Sequence, residues 1–587
     1  MKLRQLVSAL LVVTLLIVAL AGCGKPADTA EPDATTETAN EPADVSTDTE
    51  ISFDEPMTFE IYDVAANYQG VQTGWFAKVV KDRFNIELNI IAPQVAGDAI
   101  FQTRTSAGNL GDIVILESTD FKDCVATGLI KDITAGLEKC TNLMQYKEQI
   151  DVLNKALPDN DAGVIYGIPC QMTNTSPTSY SQDVIYSSPL LRWDLYNAVG
   201  APEIADLDGL LDVLADIKEA FPTNESGDPA YPFSLWPDWD GGDGMMGIAN
   251  VVQLTTWYGE KGKGSIILQP DGKTFKTVTD KTAAQYKILQ FLNKAQRMGL
   301  VDPDSGTQDW NAACAKMSAG QVYLMWYSWQ VGFWNTIDRL NAGTAFIYIP
   351  VKDQTYYADS DTYYGSGRVW GVGSQVDDAK YERILAFFDW YASPEGLTFQ
   401  HNGIEGFNYE VGADGKFTLK NDNALMDNLP VPEEWGGAGY QDGNNAINQW
   451  FVDAISTNPN TGEPYSSQYW SSYKAATMTQ MKQDWSAKFG AAEPAEYMKK
   501  NNILVVSPNV SVSLPSDTAD ISVIRGQCEE ILEDYSWRMI FAQSEADFDA
   551  LWNEMVEQMD GLGFQQLVEF DTAKYQIEVD AKNAALD

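Results

Sequence analysis

The positions of apolar and polar residues after residue 56 predict strands that alternate with helices. The predicted elements are, in order, a strand over residues 57–64, a helix over 75–84, a strand over 86–92, a helix over 99–107 and a strand over 112–116. This alternation is typical of a parallel sheet in an α/β domain. Ligands of such sheets bind beyond the carboxyl ends of the strands, so Tyr68 and Asp120 are candidate ligand contacts.

Three later segments carry apolar residues at three- and four-residue spacing, which predicts amphipathic helices with one buried face. They cover residues 210–221 with Asp208 as the expected N-cap, residues 381–391, and residues 548–559 after Ser544. We interpret the last two stripes as core, so Trp552 is not a ligand candidate. A short strand over 163–169 precedes the polar run 171–182, which we interpret as a crossing between lobes.

Six of the sixteen residues from Gly320 to Asn335 are aromatic. Residues 322–325 are typical of a strand, and residues 326–329 of a turn after it. Ser328, Gln330 and Asn335 are interleaved with the rings, which a dry core does not favour. A pyranose has an apolar face and a rim of hydroxyls, so rings beside hydrogen-bonding groups suit a sugar-binding wall. The alternative is a core strand followed by a partly buried turn.

Aromatic rings also occur in polar loops, where helix and strand stripes do not account for them. Some would anchor loops to the body, and others would stack on sugar faces while charged groups bind hydroxyls. The candidates for ligand contact outside the stretch above are Trp239, Asp240, Tyr364, Arg368, Trp370 and Glu405.

The first 55 residues are predicted to be processed or disordered. A basic start and an apolar run over residues 6–21 are typical of a secretory signal. Leu20-Ala21-Gly22-Cys23 resembles the lipobox of bacterial lipoproteins, which implies cleavage after residue 22 and a lipid on Cys23. Residues 24–55 hold ten acids against one base, so residues 23–55 are predicted to be a lipidated cysteine with an acidic tether.

Charge and residue inventory exclude some function classes. The formal net charge of −44, from 83 acidic and 39 basic residues, makes nucleic acid a poor partner. His401 is the only histidine, and no phosphate-binding glycine motif occurs, so zinc hydrolysis, a Ser-His-Asp triad and nucleotide chemistry are unsupported. The five cysteines after Cys23 form no disulfide framework, although a Cys124–Cys140 bridge stays open. We expect a binding protein rather than an enzyme.

A series of motifs resembles one family over nearly the whole mature chain. They are Tyr-Gly-Ile-Pro at 166–169, Arg-Trp-Asp-Leu-Tyr at 192–196, the glycine-containing strand at 317–325, the helix ending in Ser-Pro-Glu-Gly at 384–396, and the turn at 403–409. Their order resembles the extracellular solute-binding proteins of bacterial carbohydrate ABC importers. The large oligosaccharide-binding lipoproteins of Gram-positive bacteria, of the family 1 type, are the more similar subgroup.

The resemblance implies an α/β, two-lobed, periplasmic-binding-protein-like fold of type II, with discontinuous lobes, hinge crossings and a ligand cleft between the lobes. Lobe 1 is expected over residues 56–178 and 352–415, and lobe 2 over 179–351 and 416–587. The expected protein is a monomer, lipid-anchored to the outer face of the cell membrane. It would capture an oligosaccharide by hinge closure and deliver it to the permease.

The resemblance also implies particular residue roles. Maltose-binding relatives carry a sugar-stacking tryptophan in this region, and Trp329 is the nearest match, with Trp326 as a second candidate. Some distant relatives carry a calcium loop after the helix that ends near Phe221. Here Asn224, Glu225 and Asp228 are only weak cation candidates, because the loop lacks alternating acids. No cofactor is therefore expected, although calcium stays open.

Two other functions stay open at this point. A peptide-binding lipoprotein of an ABC importer would hold its ligand mainly through backbone hydrogen bonds. A surface glycoside hydrolase would need two carboxylates beside the scissile bond, and the many acids of the chain do not single out such a pair.

Overall fold

The computed structural model describes residues 53–97, 99–160, 162–241, 246–421, 424–425 and 428–586. The signal peptide, Cys23 and most of the acidic tether lie outside the described residues. Ile51–Asp587 form a single compact unit. No helix in the described part is long and apolar enough to cross a bilayer.

The strands are short and are spread over the whole folded chain. They are β1 (Met57–Asp63), β2 (Gly70–Val71), β3 (Ile86–Ile91), β4 (Ile113–Glu117), β5 (Gly167–Pro169), β6 (Ser187–Arg192), β7 (Lys261–Lys263), β8 (Ile266–Leu268), β9 (Phe275–Thr277), β10 (Leu324–Tyr327), β11 (Phe346–Tyr348), β12 (Tyr356–Asp359), β13 (Arg368–Val372), β14 (Tyr409–Val411), β15 (Phe417–Leu419) and β16 (Leu504–Ser507).

The helices dominate the C-terminal part of the chain. They are α1 (Trp75–Phe84), α2 (Pro93–Ala96), α3 (Ala99–Ser106), α4 (Ser118–Ala126), α5 (Thr134–Leu137), α6 (Lys147–Lys155), α7 (Trp193–Ala198), α8 (Leu207–Ala220), α9 (Ala249–Thr255), α10 (Ala284–Arg297), α11 (Trp310–Ser318), α12 (Ile337–Ala342), α13 (Asp378–Tyr391), α14 (Pro394–Asn402), α15 (Ser471–Ala476), α16 (Gln480–Phe489), α17 (Pro494–Lys500), α18 (Ala519–Ile540), α19 (Glu545–Gly561) and α20 (Phe564–Ala584).

A six-stranded sheet in the order β2-β3-β1-β4-β13-β5 forms the first layer. β1 pairs with β3 and with β4 in parallel, as the alternating pattern predicts, and the α/β class is confirmed. β13 comes from far along the chain and pairs antiparallel with β4. Its first residue, Arg368, therefore lies opposite Glu117, at the carboxyl end of β4.

A smaller antiparallel sheet in the order β10-β6-β11 forms the second layer. Tyr327 at the end of β10 pairs with Ser187 at the start of β6. The strand has the predicted length of four residues but lies two positions later, since it begins at Leu324 and ends at Tyr327 instead of covering residues 322–325. The first two residues of the expected turn are thus part of the sheet.

Two large hydrophobic cores flank these sheets. The first draws on residues 59–172 and 370–465, and the second on residues 185–358 and 481–567. The chain therefore passes between the cores within residues 172–185, 358–370 and 465–481. The first passage overlaps the polar run 171–182, and its role as a crossing between lobes stays a prediction. Phe451, which the sequence analysis places in lobe 2, packs on Trp370 in the first core. That the two cores belong to separate lobes that move relative to each other stays a prediction.

The predicted helical stripes are confirmed, with one corrected cap. α13 and α19 bury their apolar faces, Trp552 is buried, and the Ser544 hydroxyl caps α19. The cap of α8 is Asp206 rather than Asp208, and its carboxylate accepts a hydrogen bond from Gly209 N. The five described cysteines are free thiols, so the Cys124–Cys140 bridge is not formed.

Candidate functional site

Five aromatic rings at the carboxyl end of β10 form a continuous surface, which we call the aromatic shelf. Its members are Tyr186, Trp239, Trp310, Tyr327 and Trp329. Trp329 stacks on Tyr327, with ring centroids 5.1 Å apart and planes 20° apart. Trp329 keeps 39% of its surface exposed and Tyr186 keeps 55%, whereas Tyr327 between them is buried. The shelf therefore offers apolar ring faces to solvent.

A buried amide holds the turn that carries Trp329. The side-chain oxygen of Gln330 accepts hydrogen bonds from the backbone nitrogens of Trp326 and Tyr327, at 3.0 and 2.9 Å. Asn335 exchanges two hydrogen bonds with the backbone of Phe346. Both polar groups thus brace the backbone, which corrects the expectation that polar residues between the rings face a ligand.

Trp326 forms the buried base of the shelf, which corrects its prediction as a ligand contact. Its ring stacks on Trp236 at 5.3 Å with an interplanar angle of 4°, and only 1% of Trp326 is exposed. Trp236 in turn contacts Trp239 at 5.2 Å and Trp310 at 4.6 Å. The two inner tryptophans support the outer rings and leave them accessible.

Asp240 attaches the loop of Trp239 to α18. One carboxylate oxygen accepts a hydrogen bond from Ala249 N at 2.8 Å, and the other accepts one from the indole of Trp537 at 2.7 Å. Burial raises the pKa of Asp240 to about 6, and the hydrogen bonds partly oppose this rise. Both carboxylate oxygens of Asp240 accept hydrogen bonds from protein groups, so Asp240 anchors the loop that carries Trp239. Direct binding of a sugar hydroxyl by Asp240 stays a prediction.

A second candidate surface lies at the carboxyl end of β4, where a cavity of about 340 Å³ opens, which we call the sheet-edge pocket. Its polar lining includes Ser118, Thr119, Lys122, Tyr364, Arg368, Ser511, Ser513 and Ser516. Phe121 and Val369 are among its apolar lining. The pocket therefore combines hydroxyl groups with an apolar wall at the sheet edge where the sequence pattern predicts ligand contacts.

Arg368 is already paired within this pocket. Its Nε donates to Glu117 Oε1 at 2.6 Å. Asp63, at the end of the neighbouring strand β1, is fully buried, and its Oδ2 finds no hydrogen-bond partner among the described residues. Burial raises the pKa of Asp63 to about 7, although the Ala65 amide and the charge of Arg368 oppose the rise. Burial therefore favours the protonated form of the Asp63 carboxyl group.

The structure places the remaining predicted contacts at other positions. Trp370 is fully buried between Phe388 and Phe451, so a ligand has no access to its ring and the prediction is wrong. Tyr68 donates its hydroxyl to Val71 O at 2.8 Å. Asp120 lies in the first turn of α4, with its pKa raised by burial and then by the charges of Asp123 and Glu117. Glu405 is exposed in the turn before β14.

Of the predicted ligand contacts, only some line the two surfaces. Trp239 and Trp329 belong to the aromatic shelf, and Tyr364 and Arg368 to the sheet-edge pocket. Tyr68, Asp120 and Glu405 are brought to neither surface by any of the contacts described here.

The weak cation candidates lie in one turn, where they bond to protein groups. Asn224 Oδ1 accepts hydrogen bonds from Ser226 N and Asp228 N, and Glu225 pairs with Arg339 at 3.5 Å. Within the described ranges, no group of three or more His, Cys, Asp or Glu side chains is arranged to hold a metal.

Three residues of the aromatic shelf were not predicted as ligand contacts from the sequence. Trp310 opens α11 behind the Asp309 cap, and Tyr327 continues a strand, so both conform to regular elements. Tyr186 follows Val184 and Ile185 and directly precedes a buried strand, so nothing in the local pattern separates its ring from strand residues. Asp63 carried no signal, because an acid at a strand end is normally solvated.

The family model described as "Bacterial extracellular solute-binding protein" matches residues 69–398, which is more than half of the chain. The chain belongs to this family. Membership makes it an exported binding protein that captures a solute outside the cell. No curated protein sequence matches the chain significantly.

Solved structures show the same fold at low sequence identity. A solute-binding protein from Bifidobacterium longum infantis matches with a TM-score of 0.59 and 14% identity, covering 90% of this chain and 100% of that one. FusA of S. pneumoniae matches with a TM-score of 0.55 and 15% identity, covering 90% of this chain and 99% of that one. The alginate-binding protein AlgQ2, solved without calcium, matches with a TM-score of 0.55 and 16% identity, covering 89% of this chain and 98% of that one. The predicted periplasmic-binding-protein-like fold is confirmed.

Proposed function

We propose that this solute-binding protein captures an oligosaccharide at the cell surface and delivers it to the permease of an ABC transporter. The observation that carries the proposal is the aromatic shelf, with the exposed rings of Trp329 and Tyr186 on a base of buried aromatics. An aromatic face covers the apolar C–H face of a pyranose without demanding buried polar partners.

The sheet-edge pocket supplies the complementary chemistry. Sugar hydroxyls need donors and acceptors, and the pocket offers serine, threonine and tyrosine hydroxyls beside the Arg368–Glu117 pair. Arg368 pairs with Glu117, and the lining adds one further charge of each sign, Lys122 and Glu578. Because these charges balance, the pocket suits neutral hydroxyls better than a strongly acidic glycan. A ligand that contacts both surfaces would join the second core to the sheet edge at the carboxyl end of β4. Closure of the protein around it would give the form that a permease recognises.

The structural relatives are consistent with this substrate class. The Bifidobacterium protein is described as an HMO-binding, ABC-transporter-associated solute-binding protein, and the FusA structure contains kestose. At 14–15% identity these relatives share the fold only. The residues of the shelf and the pocket therefore carry the argument for this chain.

A lipid on Cys23 would keep the protein at the cell surface, with the acidic segment up to residue 55 as its tether. Metabolic labelling with a fatty acid should give a labelled protein in the membrane fraction, and Cys23→Ser should lose the label and appear in the medium. Label on the Cys23→Ser protein would disprove the anchor. We also propose that the protein is a monomer, which sedimentation in solution would show.

A thermal-melting screen of the mature chain against oligosaccharides and peptides tests the function. A bound ligand stabilises the folded protein by mass action, so an oligosaccharide should raise the melting temperature, and the stabilisation should grow with the logarithm of its concentration above Kd. Stabilisation by peptides and not by sugars would replace the proposal with a peptide-binding function. New reducing ends after long incubation would indicate a glycoside hydrolase instead.

A further inference from the structure

Tyr186 and Trp329 are the two aromatic side chains among the strongly exposed large hydrophobic residues of the described chain. They are far apart in sequence, yet both rings contact the same buried ring, that of Tyr327, at 5.3 and 5.1 Å. Exposed apolar groups that lie together are typical of an interaction surface, because removing apolar area from water is favourable.

Backbone hydrogen bonds join the two segments that carry the exposed rings. Tyr327 pairs with Ser187, and Ser328 N donates to Tyr186 O at 2.9 Å, so the backbone of Tyr186 is tied to the residue directly before Trp329. Tyr180 donates its hydroxyl to Val184 O at 2.7 Å, which ties the chain that enters β6. The separation of the two backbone segments is therefore set by the pairing of β6 with β10.

The two exposed rings are not coplanar. The plane of Tyr327 lies 20° from that of Trp329 but 67° from that of Tyr186. The planes of Tyr186 and Trp329 must therefore differ by at least the difference between these two angles. A flat ligand cannot lie face to face on both rings, whereas two consecutive sugar rings that turn relative to each other can.

We propose that Tyr186 is a second stacking platform, and that its angle to Trp329 selects oligosaccharides whose chain bends between consecutive sugars. The proposal rests on the function proposed above and specifies its substrate class. Chains of β-1,4-linked glucose or mannose are extended ribbons with nearly parallel ring planes. Chains of α-1,4-linked or β-1,3-linked glucose curve, so their ring faces turn from one sugar to the next.

Calorimetric titration of the mature chain with four tetrasaccharides tests the proposal. Maltotetraose and laminaritetraose are the curved probes, and cellotetraose and β-1,4-mannotetraose are the flat ones. A curved probe should bind at least tenfold more tightly than the flat ones. Tyr186→Ala should weaken its binding by about five- to 150-fold, the range of ring-stacking contacts.

Matched variants separate stacking from structural effects. Tyr186→Phe should keep the affinity, because the ring face remains. Tyr186→Leu should lose it, because the apolar volume remains without a flat face, and this variant serves if Tyr186→Ala does not fold. Ile577→Ala, which removes an exposed apolar residue on α20, should change nothing.

The outcomes separate the two proposals. If none of a broad oligosaccharide panel raises the melting temperature, the proposed function fails and this inference with it. If an oligosaccharide binds but Tyr186→Ala leaves its affinity unchanged, or if flat chains bind as tightly as curved ones, the function stands and the role of Tyr186 is overturned.

Discussion

Trp326 and Trp329 are three residues apart, yet they differ in what solvent or a ligand can reach. Trp326 points into the second core and stacks on Trp236, while Trp329 follows the turn that Gln330 closes and stays partly exposed. Trp326 lies within β10 and supports the fold, whereas Trp329 lies two residues after the strand ends and offers a binding face.

Replacing Trp329 with alanine should weaken oligosaccharide binding by about 1–3 kcal/mol, as for other stacking contacts of rings. The melting temperature of the ligand-free protein should fall less than in Trp326→Ala, because 39% of Trp329 is exposed whereas Trp326 is buried. Calorimetry and thermal melting measure the two effects. Trp326→Ala is the matched control and should lose about 3–5 kcal/mol of stability, as for a buried aromatic ring. Unchanged affinity in Trp329→Ala would return the residue to a structural role.

Asp63 should make stability depend on pH. Burial raises its folded-state pKa to about 7, whereas an unfolded aspartate titrates near about 3.9. Between these values the folded state binds more protons, so the free energy of unfolding falls as pH rises from about 4 to 7.

Asp63→Asn removes this titration and keeps the acceptor for Ala65 N. The melting temperature of the variant relative to the parent protein should therefore be higher at pH 8 than at pH 5. Measuring that difference at both pH values cancels other titrating groups, such as Asp240, that the two proteins share. An equal difference at the two pH values would contradict the assignment.

At the scale of elements, buried charge joins parts of the chain that the hydrophobic pattern leaves unconnected. Asp571 in α20 is fully buried, accepts hydrogen bonds from Ser265 N and Oγ, and pairs with Arg525 of α18 at 2.6 Å. One carboxylate thus fixes two long helices to the start of β8.

Replacing Asp571 with alanine should destabilise the protein by about 3–5 kcal/mol, because Arg525 and Ser265 lose a buried partner. The midpoint of denaturant unfolding measures the loss. Asp580→Ala is the control on the same helix, since Asp580 is exposed and bonds only to Gln576, and it should be nearly neutral. Similar midpoints for both variants would show that the network contributes little.

At the scale of the whole molecule, the chain passes between two cores three times. The shelf packs in the second core, whereas Phe121 and Val369 of the pocket belong to a third, smaller cluster. The sequence analysis placed the last passage near residue 415, whereas residues up to 465 pack in the first core. Residues 420–465 contain little regular structure, so no periodicity could show which core they join.

Closure of the two cores around an oligosaccharide should reduce the radius of gyration of the mature protein. Small-angle X-ray scattering with and without a saturating ligand measures this change. Trp329→Ala at the same ligand concentration should show a smaller change, because less of the protein is occupied. A bound protein with an unchanged radius would exclude closure as the step that presents the ligand.

The sequence by itself determined the local elements and the general chemistry. Apolar periodicity encodes which residues form a strand or an amphipathic helix, and it correctly indicated β1, β3, β4, α13 and α19. Composition showed a strongly acidic chain, and the sequence placed many aromatic residues in polar loops. These properties depend only on near neighbours along the chain.

Only the tertiary structure decided which aromatic rings are accessible and which polar groups meet. Trp370 entered the core because β13 inserts into the first sheet, and the same insertion brought Arg368 to Glu117. Tyr186 joined the shelf because β6 pairs with β10. Such contacts follow from strand order and register between distant segments, and local patterns carry no information on which distant segment a strand will pair with.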